Sequence, residues 1–349
     1  MRSIARALSL AAVATLLSSC GLLGDSEEPA INSDSTGPEL TTVRIGVLPL
    51  ADVAPIYRAI ANGYFHAEGL NVRRDKDLVV CKSGGDCVSR LTGGTVEIAY
   101  SSWTPYLAAM SQGIDLRIVA DATVLAERNS PVMVSPTSGI NSLSQLAGRR
   151  IAITDKGTAS HLLTASALKI AQVDPNGVQW ISASFPEIPS LIMSGQVDAA
   201  YLTEPYTQMA SRAGAIPIAD TNSGPNIGFP LSGYATTSKI ANQAPATIRA
   251  FQRALATATR ELLVDRDLLN AVAGTYIKVS KVAGMGAPLT QVSPQESADV
   301  LNMAAVNGFR VGNVTPTGIG RVHRLMEEFG ALERPVPDLA SKILSYDAT

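Results

Sequence analysis

Gly94-Thr-Val-Glu-Ile-Ala-Tyr100 and Gly195-Gln-Val-Asp-Ala-Ala-Tyr201 are two copies of one short unit. The first runs on into Ser101-Ser-Trp-Thr-Pro-Tyr106, the second into Leu202-Thr-Glu-Pro-Tyr206. An apolar, helix-like run precedes each, Cys87 to Leu91 and Ile188 to Met193. Each copy predicts a helix, a glycine stop, a short apolar strand, a polar loop and a proline opening the next helix. Glycine suits the left-handed residue after a helix end, and proline suits the first helical turn. Val96, Ile98 and Tyr100 alternate with Glu97 and Ala99, the period-two pattern of a strand. Two copies of one strand-loop-helix unit predict two similar α/β lobes. Ligands of open α/β sheets sit beyond the carboxyl ends of strands. Loops 101–105 and 202–205 are therefore the first candidates for the walls of one cleft.

The flanking segments extend this pattern. Val43 to Leu48 is a predicted strand, followed by a loop and a helix that Pro55 helps open; Ile56, Ala59, Ile60 and Gly63 fall at helical spacing. Strands are also predicted over 78–80 and 116–120 in the first lobe, and over 149–153, 178–181 and 216–219 in the second. Ser130 to Ser135 leaves the first lobe, and Leu231 to Thr237 returns, weakened as a strand by Gly233. Thr154 to Ser160 is a polar loop entering a helix. Helices are expected over 245–264, 268–279, 294–306 and 318–329, with Ser293-Pro-Gln-Glu296 as a capping box. The expected organisation is lobe 1 from 43–130 plus 236–349 and lobe 2 from 131–235. Two crossover segments, near 130–135 and 231–237, would join them around a central cleft. Two hinge-like connections are what a closing cleft requires.

A chain of 349 residues is long enough for two medium domains. Its net charge is −2 with the charges interspersed, so no basic patch points to nucleic acid. Arg2 and Arg6 followed by the apolar run Ala7 to Leu17 form a secretory signal peptide over 1–19. Leu17-Ser-Ser-Cys20 resembles the bacterial lipobox, which makes Cys20 the lipidated first residue of the mature protein. Residues 20–41, rich in Gly, Ser, Pro and acids, read as a flexible tether. The expected location is extracytoplasmic, anchored to the bacterial cell membrane through Cys20. In that compartment Cys81 and Cys87 are expected to form a disulfide. Its short loop contributes roughly 2 kcal/mol in the chain-entropy account. His66, His161 and His323 are far apart and show no metal-ligand spacing, so neither metal nor cofactor is expected.

Several segments together resemble a known family. Gly63-Tyr-Phe-His-Ala-Glu-Gly-Leu70, Leu146-Ala-Gly148 before Ile151-Ala-Ile153, Gly195-Gln-Val-Asp-Ala199 with Glu204-Pro205, and Ala244-Pro245 follow its order over about 43–330. The family is the solute-binding proteins of ABC importers for sulfonates, taurine, nitrate and thiamine pyrimidine precursors. The resemblance implies an α/β, type II periplasmic-binding-protein fold that closes on one small solute. It also implies the partners: a small-molecule solute, an ABC permease and its ATPase, with the protein itself a monomer.

In such families the solute contacts strand-end loops of both lobes. By position these are Leu50 and Asp52, Ser101, Ser102 and Trp103, Asp155, Lys156, Gly157, Thr158 and Ser160, Phe185 near Glu187, and Glu204 with Tyr206. Gly157 is expected to let backbone N–H groups face the cleft, beside a helix N-terminus that favours an anionic or strongly accepting group. Thr158 and Ser160 add hydroxyls, or simply cap that helix. Trp103 is read as a stacking wall among polar neighbours, with core packing as the alternative. Asp52 and Glu204 either accept from the solute or stabilise helix N-termini. Lys156 is the single cation in these loops, against the acids Asp52, Asp155, Glu187 and Glu204. That balance tilts from sulfonate toward a neutral, amine-bearing or heteroaromatic solute. A eukaryotic branch of the superfamily resembles pyrimidine synthases with a cysteine-rich iron-binding run, which is absent here, as is any Ser-His-Asp or Cys-His pattern. The expectation is therefore a binding protein rather than an enzyme, with a ligand-sensing lipoprotein as the alternative use.

Replacing Cys20 by Ala should move the protein from the membrane fraction to the soluble extracytoplasmic fraction. A C20A protein that stays membrane-bound through a high-salt wash would refute the lipobox.

Overall fold

The computed structural model describes residues 37–265 and 308–348. The signal peptide, Cys20, most of the tether, the helices expected over 268–279 and 294–306, and the Ser293 to Glu296 box lie outside the described residues.

The chain forms two five-stranded mixed sheets. The first contains β1 (Ile45–Val47), β2 (Leu78–Val80), β3 (Ile98–Ser102), β4 (Leu116–Val124) and β10 (Pro230–Thr237), in the order β2-β1-β3-β10-β4. The second contains β5 (Pro131–Val134), β6 (Arg150–Ile153), β7 (Gln179–Ser182), β8 (Ala199–Tyr201) and β9 (Ile216–Asp220), in the order β7-β6-β8-β5-β9. In each sheet three strands run parallel, and the fourth and fifth are joined to them by an antiparallel pairing. The repeated sequence unit thus occupies the same place twice, as β3 and as β8.

The repeat extends to its ion pairs. The Arg44 backbone N–H donates to Glu97, and its guanidinium reaches both Glu97 and the Gly94 carbonyl. Arg150 does the same with Asp198 and the Gly195 carbonyl. One arginine at the head of a parallel strand therefore clasps the glycine turn that launches the neighbouring strand. The bidentate geometry sets the register of each strand pair.

Helices cover the sheets. α3 (Gly84–Thr92) and α4 (Trp103–Ser111) pack on the first, with α1 (Ala54–Ala61) and α2 (Tyr64–Ala67) against the helix Pro245–Val264; α5 (Ala159–Ile170) and α6 (Ile188–Met193) pack on the second, with α7 (Tyr206–Arg212) against α6. The helix Pro245–Val264 and the helix Pro316–Glu328 complete the first lobe, the latter touching α4 and β10. No helix among the described residues is long and apolar enough to cross a membrane. Cys81 and Cys87 are both buried and disulfide-bonded, as the sequence led us to expect.

Three details depart from the sequence reading. Glu39 and Leu40, placed in the tether, are docked: the Glu39 carboxylate accepts the Ala246 and Thr247 N–H groups at the start of helix 245–264, and Leu40 is buried. A carboxylate there complements the helix dipole. The crossover passages come earlier than expected, over 125–130 and 221–229, because 131–134 already pairs in the second sheet and 230–237 pairs throughout with the first. The passages also bond to each other, Leu125 N–H to the Phe229 carbonyl at 2.7 Å. Finally, Gly233 is not a weak point in its strand. A Cβ there would press into the Trp103 ring and lie 2.5 Å from the Ala120 carbonyl oxygen. The bare glycine is what lets the indole pass beneath β10.

Gly233→Ala should therefore destabilise the protein by at least the roughly 1–3 kcal/mol typical of overpacked cores. Urea unfolding measures this. A loss below about 0.5 kcal/mol, within the range of ordinary surface substitutions, would show that the contact yields freely.

Candidate functional site

The carboxyl ends of the parallel strands of both sheets meet at one cavity of about 50 Å³. A single water needs about 10–15 Å³ on this scale, so the space suits a small solute or a few waters. The first lobe supplies Leu48, Leu50, Asp52, Ser83, Gly84, Tyr100, Ser102, Leu231 and Ser232. The second supplies Thr154, Thr158, Ala159, Ser160, Phe185, Tyr201 and Thr203.

Strand alternation explains which repeat residues face the cavity. Tyr100 and Ser102 are two apart on β3 and share one face, as do Tyr201 and Thr203 at the end of β8. Residues of the other parity turn away. Ser101, Trp103, Leu202 and Glu204 are all buried behind the wall. Trp103 belongs to the core, tilted against Tyr106 and under β10. The stacking wall expected of it is therefore absent; its polar neighbours reach the cavity or the core according to parity. Ser101 lies beneath Gly84, where an added Cβ would come 2.5 Å from its hydroxyl.

Of the other expected contacts, Leu50, Asp52, Ser102, Thr158, Ser160 and Phe185 line the cavity. Asp155 and Lys156 are solvent-exposed and outside the lining, and the half-buried Gly157 is outside it too. Gly157 does take a positive φ of 78°, but its N–H is bonded to His161 Nδ1 at 3.2 Å rather than turned to the cleft. Burial and the nearby Lys156 charge lower the His161 pKa to about 4, so the ring is neutral and accepts that bond. Tyr206 stacks on Phe185 at 6.0 Å, behind the wall, and gives that ring a rigid backing.

Two hydrogen-bonded clusters face each other. On the first lobe Tyr100 and Thr123 donate to Asp52 Oδ2 at 2.8 and 3.0 Å, and both bond Ser232. Burial raises the Asp52 pKa against these donors. Burial and the Asp52 charge push Tyr100 well above its ordinary value, so it stays a donor. On the second lobe the hydroxyls of Thr154, Thr158 and Ser160 lie within 2.8–3.1 Å of one another at the start of α5. Thr158 occupies the N-cap position without capping, because its hydroxyl donates to the Asp155 carbonyl. Among the described residues Asp52 is the one charged side chain in the lining, and no Lys or Arg joins it. Among the described residues no group of His, Cys, Asp and Glu is placed to hold a metal ion.

Tyr100, Tyr201, Ser83 and Ser232 were not foreseen as contacts, and Thr203 was covered only as part of the candidate loop 202–205. The tyrosines closing the two repeats carried the signal. Their equivalent positions, with alternation followed into the loops, point to the facing residues.

Two like-built sheets meeting at their carboxyl ends around one cavity define a two-lobed α/β binding protein with the periplasmic-binding-protein fold. The fold is shared with the alkanesulfonate-binding protein SsuA of Xanthomonas axonopodis pv. citri bound to MOPS, at TM-score 0.69 and 18% identity over 89% of this chain and 100% of that one. It is shared likewise with the nitrate-binding protein NrtA of Synechocystis PCC 6803, at TM-score 0.69 and 13% identity over 88% and 85% of the two chains. The chain belongs to the NMT1/THI5-like family, whose pattern matches residues 51–267. A protein of Brachyspira hyodysenteriae, whose name gives it as a periplasmic binding protein of an ABC transporter, is 29% identical over 226 residues. That alignment spans 60% of this chain and about 60% of the relative's length.

Asp52 has a raised native pKa, so its contribution to stability is fully present below the unfolded carboxylate value. It is lost as pH rises through the native value. The stability of wild type relative to Asp52→Asn should fall as pH rises above the ordinary carboxyl value of about 4, read by urea unfolding at several pH values. A constant difference would mean that Asp52 keeps an ordinary pKa.

Proposed function

We propose that this protein is the extracytoplasmic solute-binding lipoprotein of an ABC importer. It is a monomer anchored through Cys20 that captures a small polar organic solute between its lobes and delivers it to a permease driven by an ATPase. It binds the solute unchanged and performs no chemistry on it. The observation that carries the reading is a cavity walled by both sheets, to which each copy of the repeat contributes its closing tyrosine and the residue two beyond. Sulfonates, nitrate and pyrimidine-like solutes are the classes to consider, and the lining discriminates among them.

Among the described residues, nine hydroxyl-bearing side chains, one carboxyl group and no cation surround the space. A fully charged anion commonly draws Arg or Lys forks, and here it would meet Asp52 instead. A neutral, amine-bearing or heteroaromatic solute fits better. Its donors face Asp52 and the Tyr100 side, and its accepting atoms face the hydroxyls and first turn of α5. Phe185, Leu50 and Leu231 supply apolar contact for a planar body.

The test is a thermal-shift screen of the purified mature protein against sulfonates, nitrate, pyrimidines, amino acids and polyamines. A binder at a hundred times its Kd stabilises by about 2.7 kcal/mol. We expect an amine-bearing or heteroaromatic compound to raise the melting point and to reduce the radius of gyration in small-angle scattering. Binding of alkanesulfonate or nitrate alone would overturn the solute class. An unchanged radius under a saturating binder would overturn closure.

A further inference from the structure

Glu204 carries a feature that solute contact does not use. It sits between β8 and α7, and its peptide carbonyl accepts the Ala51 N–H from the first lobe at 3.1 Å. Its side chain is 2% exposed. Oε2 accepts the Gln208 N–H at 3.3 Å, while Oε1 is buried with no hydrogen-bond partner among the described residues. The residue after Ala51 is Asp52, itself 8% exposed, so the lobe contact brings two buried carboxyl groups into each other's field. An ionised carboxylate with an unpartnered buried oxygen is far more costly than a neutral acid in the same place.

We propose that Glu204 is a proton-binding site that couples closure of the lobes to proton uptake, so that the cleft closes more readily as pH falls. The proposal rests on the reading of the protein as a cleft-closing solute binder and adds its regulation. Separating the lobes breaks the Ala51 contact, readmits water to the loop and removes Asp52. Glu204 then ionises as an ordinary carboxylate. On closure a proton from the solvent binds the carboxylate and leaves the group neutral.

The groups around the pair are consistent with this direction. Gln208 and the Arg212 charge on α7 favour the ionised form of Glu204, yet burial and Asp52 outweigh them and push its pKa up to about 7. Asp52 is faced by Tyr100 from β3, Thr123 from β4 and Ser232 from β10, none of them cationic. Tyr201 and Tyr234 also sense its charge and stay protonated. Because the pKa is raised in the closed state, the contribution to closure is complete below the open-state value of an ordinary carboxyl group. It is lost as pH rises toward about 7. Across that window the closed-to-open ratio should fall by up to about tenfold per pH unit.

The experiment uses the mature protein with no solute added, at a series of pH values from about 5 to about 8. Small-angle scattering reads the radius of gyration. Exchange of the Ala51 amide, corrected for its intrinsic rate, reads the lobe contact directly. In wild type the radius should grow and Ala51 protection should fall with rising pH; in Glu204→Gln both should change much less, leaving only what Asp52 contributes. A flat wild-type series overturns the proposal without reference to any variant, and so does a Glu204→Gln series that keeps the wild-type slope. Asp52→Asn should move the wild-type transition to lower pH, and no movement would overturn the role given to Asp52. A failed solute screen tests the binding reading alone and is a separate result from a flat pH series.

Discussion

A tryptophan lying beneath a glycine fixes how the two halves of this molecule meet. β10 brings the chain back from the second sheet and lies between β3 and β4, antiparallel to both. Trp103 opens α4 directly after β3 and passes under β10 at Gly233. The helix that follows the first repeat is thereby locked to the strand that returns from the second lobe. Ser232, the neighbour of Gly233, reaches the cavity and bonds Tyr100 and Thr123. The same strand therefore carries the packing constraint and part of the binding surface on adjacent residues of opposite parity.

The repeated arginine clasps serve the site in the same indirect way. Each holds the glycine turn ahead of β3 or β8 and so decides which residue of the repeat ends the strand at the cavity. A slip of one residue would exchange the faces: Ser101 and Trp103 would replace Tyr100 and Ser102, and Leu202 and Glu204 would replace Tyr201 and Thr203. Arg321 adds a restraint on the far side. Its guanidinium donates to the carbonyls of Pro225, Ile227 and Gly228 and sits 5.7 Å from the Phe229 ring centroid, gripping the return passage just before β10.

Much of this was legible in the sequence because its signals are local. Glycine stops, proline starts and period-two alternation located β3, β8 and their helices, and the short spacer between Cys81 and Cys87 located the disulfide. The central position of β10 was not legible, because it depends on pairing with strands more than a hundred residues away. Trp103 was misread from its polar neighbours; it opens α4 and turns into the core under Gly233. Gly157 was read correctly as a special backbone position, but the N–H it frees is taken by His161, four residues on and facing back. Glu39 resembled tether because composition alone does not reveal a carboxylate that finds a helix end some two hundred residues away.

The cavity's electrostatics follow from burial more than from the number of charges. Asp52 takes its side-chain donors from Tyr100 and Thr123, which form one bonded group with Ser232, so no cation is required to hold the carboxyl group there. Across the space, the start of α5 offers hydroxyls and the positive end of a helix, again without a formal charge. Both walls are polar, nearly uncharged and already hydrogen-bonded within themselves. A solute entering between them must replace water without breaking these clusters, and a misplaced donor would leave a buried group unsatisfied at a cost of about 1–3 kcal/mol. Such a site selects by the arrangement of donors and acceptors and weakly by net charge. Charge enters where Asp52, at the cavity, meets Glu204, which is buried behind the wall. On the proposed reading Asp52 therefore takes part both in solute recognition and in the electrostatics of bringing the lobes together, whereas Glu204 takes part in the second alone.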